Sequence, residues 1–246
     1  MAERSRHWDS LFVTGPTARA EYRQPRFQPP AGSTELLLIR HGESAPARAD
    51  QPFPLLEGQG DPELAPEGRR QAEAVAARLG AERIDAIYVT PFRRTMQTAA
   101  PLTVHLGLPP RVAADLREVH LGDWEGGLFR KMVADRHPVA QRMQAEERWD
   151  VIPGAEPAAE FTTRVRRAVE RLAHEHPGRR LAVFTHGGVI AQVLSQASGS
   201  RPFAFHGVDN GSVSHVVVTA ESWIVRCFND TSHLGTTFSR SAAPLT

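Results

Sequence analysis

The chain is poor in cysteine and in lysine. Cys227 is its one cysteine, which excludes an internal disulfide and a multi-cysteine zinc site. That residue lies in the apolar run WIVRCF, so we expect a buried, inert thiol. No apolar run approaches the ~18 residues of a membrane span, and residues 1–15 lack the apolar core of a signal peptide. We therefore expect a cytoplasmic protein with no membrane partner.

Neither sign of charge is in excess. The 29 lysines and arginines nearly balance the 28 aspartates and glutamates, which leaves a net charge of +1. Nucleic-acid-binding proteins usually show a basic excess or patch, so we expect no nucleic-acid partner. The 246 residues and the hydrophobic content of 41% suit one α/β domain with a sizeable core.

The N-terminal region differs from the rest of the chain. Residues 1–33 carry several prolines and arginines without sustained periodicity, and they end in a linker-like QPRFQPPAGS. We expect an extension over 1–33, flexible or loosely docked, followed by one folded domain over 34–246. The alternative is a short partner-binding or self-docking segment through Trp8, Leu11 and Phe12.

Strand and helix patterns alternate along the folded domain. Buried strands are predicted at 36–39, 84–89 and 181–185, and a hairpin at 212–218 and 222–228. Helices are predicted at 67–79, 91–106, 157–176 and 188–197, with a further helical stretch at 127–149 that Pro138 interrupts. This alternation predicts a mainly parallel sheet covered by helices on both faces, a three-layer α/β/α sandwich.

Polar side chains follow the first predicted strand directly. Arg40, His41 and Gly42 come after the apolar run, and ligands bind at the carboxyl ends of strands in open α/β sheets. Arginine offers a planar fork of donors that suits phosphate. The histidine offers a ring nitrogen that is neutral and nucleophilic near physiological pH. The glycine lets the backbone turn and approach a ligand closely.

Other stretches place polar groups at comparable points. Arg94 lies one helical turn past Thr90, which ends the second strand, so its side chain can point back over the strand end. His186 follows the third strand. Gly187 then opens a helix, whose N–H groups and dipole favour an anion.

These stretches resemble the motifs of the histidine phosphatase superfamily, phosphoglycerate mutase-like branch. The similar segments are RHGES, TPFRRTMQTA, LREVHLGDWEG and THGG, in the order of the family and within about residues 35–235. The resemblance implies a phosphoglycerate mutase-like fold and a catalytic domain over 34–246. It implies that His41 is the nucleophile and Glu118 the proton donor. It also implies that Arg40, Arg94 and His186 bind phosphate. For Glu118 the alternative is a surface ion pair with Arg117.

Phosphate monoester hydrolysis needs such a set of groups. The uncatalysed reaction is so slow that accelerations up to ~10²¹ are required, whereas one preorganised donor supplies only about 10²–10³. Because the arginines neutralise the phosphoryl charge, we expect no metal and no cofactor. We expect a small phosphorylated metabolite as substrate, with Ser44, Gln59 and Gly187 as further contacts. A homodimer is compatible with the sequence.

Two departures from the mutases of the family favour a phosphatase. Pro46 and Ala47 stand where some members, mutases among them, have an aromatic residue and an asparagine. The glutamate motif also lacks the mutase tyrosine, and no lysine- and arginine-rich insert is evident. A mutase-type phosphoryl transfer and a catalytically silent binding module remain the alternatives.

Residues near the predicted mouth of the site have two interpretations. Trp124, Phe129, Arg130 and Met132 either contact the organic part of the substrate or pack within a lid. For Glu125 we expect a structural hydrogen bond near the glycines of its motif.

Overall fold

The computed structural model describes residues 22–48 and 50–235. The proposed docking segment through Trp8, Leu11 and Phe12 lies outside the described residues. Residues 22–33 of the predicted extension form neither helix nor strand. The backbone N–H of Gly178 donates to the carbonyl of Gly32, at 3.2 Å, so the end of this segment contacts the folded domain. The boundary after residue 33 stays a prediction.

A six-stranded mixed sheet forms the centre of the molecule. Its strands are β1 (Thr34–Arg40), β4 (Ala86–Val89), β5 (Pro110–Val112), β6 (Arg180–Thr185), β7 (Val213–Val218) and β8 (Trp223–Asp230). They lie in the order β5-β4-β6-β1-β7-β8. The first four are parallel to one another, and β7 is antiparallel to both β1 and β8. The predicted parallel sheet with a closing hairpin is therefore confirmed.

Helices cover both faces of this sheet. They are α1 (Pro66–Leu79), α2 (Arg93–Leu106), α3 (Leu128–Ala134), α4 (Pro138–Glu146), α5 (Ala158–Glu175) and α6 (Gly187–Ser198). Because side chains alternate between the faces of a strand, Leu36 and Leu38 of β1 pack with α5 and α6. Leu37 and Ile39 pack with α1 and α2 on the other face. The three-layer α/β/α sandwich is confirmed, and burial on both faces explains the continuous apolar run.

Two of the helix predictions differ from the structure by more than one residue. Helix α2 begins at Arg93 rather than at residue 91. The side chain of Asp61 accepts the backbone N–H of Arg93 at 2.8 Å, at the first residue of the helix. The stretch predicted over 127–149 forms two short helices, α3 and α4. His137 caps α4 by accepting the N–H of Val139, and Pro138 is at the first turn, where its missing N–H costs nothing.

A small hairpin was not predicted. Strands β2 (Leu55–Leu56) and β3 (Gln59–Gly60) pair in the segment between residues 45 and 66, for which the sequence indicates only a loop. Its turn residues Glu57 and Gly58 both have positive φ, +49° and +83°, as a type I′ turn requires. The hairpin borders the cleft described below.

Helices α3 and α4 form a cap with its own apolar cluster. The cluster is centred on Trp124, Met143 and Ile152, and Phe129 and Met132 pack against it. Among the described residues, no helix is long and apolar enough to span a membrane.

Cys227 is only half-buried, because it lies on the edge strand β8. The expectation of a buried thiol is therefore wrong. Partial burial nevertheless raises the pKa of the thiol, which lowers its reactivity near neutral pH.

Candidate active site

A cleft opens at the carboxyl ends of β1, β4 and β6. These parallel strands end at one edge of the sheet, so Arg40, Thr90 and His186 come close together although they are far apart in the chain. The cleft opens to solvent. Charged and polar residues in its wall are Arg40, His41, Ser44, Gln59, Arg94, Glu118, Glu125 and Arg130.

The ring of His41 is oriented by the backbone carbonyl of the next residue, Gly42. Its Nδ1 lies 2.7 Å from the carbonyl oxygen of Gly42, which can only accept, so Nδ1 carries the proton and Nε2 has a free lone pair. The carbonyl of His41 accepts a hydrogen bond from Asn210 at 2.9 Å. Burial, and then the charges of Arg94 and Arg40, hold the pKa of His41 well below 6.5. The imidazole is therefore neutral and nucleophilic at neutral pH.

Two arginines supply positive charge next to this ring. Arg94 is only 7% exposed, and its Nη1 donates to the carbonyl of Gly60 at 2.9 Å. Burial lowers the pKa of Arg94 to about 10, although Glu118 opposes the shift. Arg40 donates through Nη1 to the carbonyl of Val208. Both guanidinium groups stay charged in the cleft at neutral pH.

The two arginines at the start of α2 have different surroundings. Arg93 is bound to Asp61 through its backbone N–H and through its side chain, with Nε 3.1 Å from Oδ2. Its neighbour Arg94 lines the cleft, as the sequence indicates, and its guanidinium lies over the ring of Phe92 at 4.4 Å.

His186 is fully buried directly beneath the cleft surface. Its ring meets that of His41 edge-on, with centroids 5.3 Å apart, and its Nε2 lies 2.9 Å from Oγ1 of Thr90. Its Nδ1 is buried without a hydrogen-bond partner among the described residues. Burial and the charge of Arg94 keep the pKa of His186 well below 6.5, so this ring is also neutral. A buried nitrogen without a partner is costly unless a ligand satisfies it.

Glu118 faces the same cleft as a carboxyl group with a raised pKa. Its oxygens accept the backbone N–H groups of Val119 at 3.0 Å and Gly188 at 3.2 Å. Burial raises the pKa of Glu118, while those two hydrogen bonds and the arginines oppose the rise. Arg117 pairs with Glu57 instead, at 2.6 Å, so the alternative of a Glu118–Arg117 surface pair is wrong.

The three further contacts predicted from the sequence occupy different positions. Ser44 and Gln59 are buried in the cleft wall, and Gln59 Nε2 donates to the backbone carbonyl of Glu118 at 3.0 Å. Gly187 instead lines an adjoining cavity, which shares Arg40 and Glu118 with the main cleft.

The cap completes the cleft. Trp124, Phe129 and Arg130 line it, whereas Met132 packs in the apolar cluster of the cap. The guanidinium of Arg130 donates to the Ser44 hydroxyl at 2.6 Å and to the Ala45 carbonyl at 2.7 Å.

Glu125 joins the cap to the hairpin. Its carboxylate accepts the N–H of Gly60 at 2.7 Å and the N–H of Leu121 at 2.8 Å, so the expected structural hydrogen bond is confirmed. The carbonyl of Gly60 also accepts a hydrogen bond from Arg94. Glu125 is therefore connected to the arginine through Gly60, which the sequence does not indicate. No sequence signal pairs residue 125 with residue 60, because this contact forms only in the folded chain.

Within residues 22–48 and 50–235, no group of three or more His, Cys, Asp or Glu side chains has the geometry to hold a metal ion. The cleft instead presents several guanidinium groups, a neutral imidazole with a free nitrogen and a carboxyl group of raised pKa. Such a set can bind a phosphoryl group, attack it and protonate a leaving group.

A family model described as the histidine phosphatase superfamily (branch 1) matches residues 36–231. The chain is 32% identical over 208 residues to a metal-independent phosphoserine phosphatase of Arabidopsis thaliana, covering 82% of this chain and 83% of the relative. It is 34% identical over 207 residues to phosphoglycerate mutase-like protein 4 of the same plant, covering 81% of this chain and 86% of the relative.

The fold also matches solved structures. One is a mycobacterial glucosyl-3-phosphoglycerate phosphatase in complex with inorganic phosphate, with a TM-score of 0.67 and 28% sequence identity. The match covers 81% of this chain and 98% of the solved one.

Proposed function

The chain belongs to the histidine phosphatase superfamily, branch 1, and from that premise we propose how its residues hydrolyse a phosphate monoester. The protein is a phosphoric monoester hydrolase of the histidine phosphatase type. The roles of individual residues are our proposal. The observation that carries it is the convergence of His41, Arg40, Arg94 and Glu118 on one cleft, with Nε2 of His41 free.

In the first step the phosphoryl group binds between the guanidinium groups of Arg40 and Arg94. The buried Nδ1 of His186 supplies a third contact. For this contact Nδ1 must carry the proton, and Nε2 then accepts from the hydroxyl of Thr90. These donors match the oxygens of the transferring group, whose negative charge they stabilise.

Phosphoryl transfer then splits the reaction into two easier steps. Nε2 of His41 forms a bond to phosphorus as the bond from phosphorus to the ester oxygen breaks. The protonated carboxyl of Glu118 donates its proton to the departing oxygen, which leaves as an alcohol. The phosphohistidine is stabilised by Arg40 and Arg94, and Glu118 is left as a carboxylate.

Water completes the turnover. The Glu118 carboxylate accepts a proton from a water molecule, whose oxygen attacks phosphorus as the bond to Nε2 breaks. Inorganic phosphate is released, His41 returns to its neutral form and Glu118 is protonated again. The raised pKa of Glu118 suits this alternation between acid and base.

The experiment is a phosphatase screen of the wild-type protein over a panel of phosphorylated metabolites, with His41→Ala and Glu118→Gln as controls. We expect phosphate release from at least one small monoester and its loss in His41→Ala. For alkyl esters, which need an acid, Glu118→Gln should lose roughly 10²–10⁴-fold in rate. Undiminished turnover by His41→Ala would overturn the residue assignments.

A mutase-type transfer is the second candidate, favoured by the similarity to a phosphoglycerate mutase-like protein. A phosphoglycerate interconversion assay, with and without added bisphosphoglycerate, separates the two activities. We expect phosphate release without interconversion, since the sequence lacks the mutase features noted above.

The substrate and setting complete the proposal. Relatives include a phosphoserine phosphatase and a glucosyl-3-phosphoglycerate phosphatase, so a small phosphorylated metabolite is the substrate we propose. Because charged groups cross a bilayer at high cost, we place enzyme and substrate together in the cytoplasm, which cell fractionation tests.

A homodimer stays a prediction, and analytical ultracentrifugation of the full chain checks it.

A further inference from the structure

Arg130 extends from α3 across the mouth of the cleft. Its Nη2 donates to the Ser44 hydroxyl at 2.6 Å and its Nη1 to the Ala45 carbonyl at 2.7 Å. The ring of Phe53 lies under the guanidinium, with its centroid 5.1 Å from Cζ. The head group is thus fixed at three places, and Ser44 is only three residues from His41.

The charge of Arg130 is only partly offset within the described part of the chain. No carboxylate there forms a salt bridge with it, although many surface arginines have one, Arg142 with Glu146 being an example. Burial lowers the pKa of Arg130, and Glu43 offsets this only in part. A partly buried cation whose hydrogen-bond partners are neutral gains stability when a ligand brings the opposite charge.

The cleft therefore offers more guanidinium groups than the proposed phosphoryl site uses. Three guanidinium groups, those of Arg40, Arg94 and Arg130, line it. Of the two carboxyl groups in the wall, Glu125 places its negative charge near Arg94, and Glu118 is the proposed acid. If two arginines hold the phosphate, the third is available for another anionic group.

We propose that Arg130 binds a carboxylate on the organic part of the substrate, so that the enzyme selects phosphate monoesters that also carry a carboxylate. The known bonds use two of its five N–H donors. The stacked ring covers one face of the guanidinium and leaves donors at its edge, where a planar carboxylate fits. A second phosphate shares this anionic chemistry and is separated by experiment. The inference rests on the proposed phosphatase function and names its substrate class.

The test compares substrates that differ in the carboxylate alone. One pair is phosphoserine and phosphoethanolamine, and another is 3-phosphoglycerate and glycerol 3-phosphate. Fructose 1,6-bisphosphate against fructose 6-phosphate tests a second phosphate. Each is assayed for phosphate release by the wild-type full chain, Arg130→Gln and Arg130→Lys. Lys131→Gln, which removes the adjacent exposed cation on the same helix, is the matched control.

We expect wild type to prefer the carboxylated member of each pair. Arg130→Gln should lower kcat/KM for the carboxylated substrate about 10- to 100-fold, as expected for the loss of a charged hydrogen bond. The same variant should cost the partner lacking the carboxylate a clearly smaller factor. Arg130→Lys should recover part of the preference, and Lys131→Gln should retain all of it.

Four results would overturn the inference. Equal losses on both members of a pair would make Arg130 a phosphate ligand or a structural link to Ser44. A preference confined to the bisphosphate would assign the second anion to phosphate. Hydrolysis of p-nitrophenyl phosphate without any carboxylate preference would leave the phosphatase function intact but refute this substrate class. A wild-type protein inactive on every monoester would refute both proposals.

Discussion

Two titratable residues in the cleft have pKa values shifted in opposite directions by burial. The pKa of His41 lies well below 6.5 and that of Glu118 lies above 4.5. His41 must be neutral to attack, so kcat/KM should fall only at pH values well below 6.5, where the ring gains a proton. Glu118 must be protonated to act as the acid, so kcat/KM should also fall as pH rises through its raised pKa.

The pH dependence of kcat/KM for an alkyl phosphate checks these assignments. We expect a bell-shaped profile whose alkaline limb disappears in Glu118→Gln, because that side chain does not titrate. An alkaline limb that persists unchanged in the variant would show that another group is the acid.

Gly188 is a residue at which a single methyl group should displace the proposed acid. A Cβ at this position would lie 2.5 Å from Oε1 of Glu118, whereas a Cβ on Gly187 would approach Arg40 Nε no closer than 3.4 Å. Since the obstructed atom ends a flexible side chain, Gly188→Ala should move Glu118 rather than unfold the helix. We expect roughly 10²–10⁴-fold lower kcat on alkyl esters and a much smaller loss in Gly187→Ala. Thermal melts should stay similar, and equal activities of the two variants would contradict the prediction.

At the scale of elements, the hairpin β2–β3 connects the acid to a phosphate ligand. The side chain of Gln59 donates a hydrogen bond to the backbone carbonyl of Glu118, and the carbonyl of Gly60 accepts one from Arg94. The hairpin is in turn fixed by Glu125 through the N–H of Gly60. Disturbing this one carboxylate should therefore affect both catalytic groups.

Glu125→Gln places an amide NH₂ opposite one of two backbone N–H groups, so one hydrogen bond is lost. We expect the free energy of unfolding to fall by about 1–3 kcal/mol and kcat/KM to fall at least about tenfold, as Arg94 loses its position. Glu57→Gln, on the exposed turn of the same hairpin, is the control and should change little. Loss of stability with full activity in Glu125→Gln would show that the hairpin does not position the site.

Elements were predictable where local pattern and burial agree. Strand β1 was readable because both of its faces are buried, which makes it a continuous apolar run. The hairpin β2–β3 was not predictable from the sequence, since its strands have only two residues each. It is held by a hydrogen bond between Gly60 and Glu125, which lie sixty-five positions apart. The start of α2 was misplaced for a similar reason, because Asp61 provides its cap from a distant segment.

At the scale of the whole molecule, the four motifs predicted most of the site. Three of them lie at a strand end or a helix start, so the topology of a parallel sheet brings them to one edge, whereas Glu118 lies in irregular chain between β5 and α3. The adjoining cavity around Gly187 and the position of Arg130 over Ser44 were not predictable. They depend on how the cap packs on the sheet, which no local pattern encodes.

The segment before the folded domain should not contribute to turnover. Pro30 accepts the N–H and the hydroxyl of Ser33, and Gly32 accepts the N–H of Gly178, so these residues should be kept. We expect a chain lacking residues 1–29 to retain the kcat and KM of the full chain, because none of the described residues before 30 lines the cleft. A large loss of kcat in this truncation, with an unchanged melting temperature, would mean that the segment completes the site.

The covalent intermediate tests the account most directly. Rapid quenching of wild-type enzyme during turnover, followed by mass spectrometry of its peptides, should find one phosphoryl group on Nε2 of His41. The adduct should be acid-labile, and it should be absent from His41→Ala, which should also be inactive. Turnover without any phosphoenzyme, or a phosphoryl group on a different residue, would contradict the mechanism.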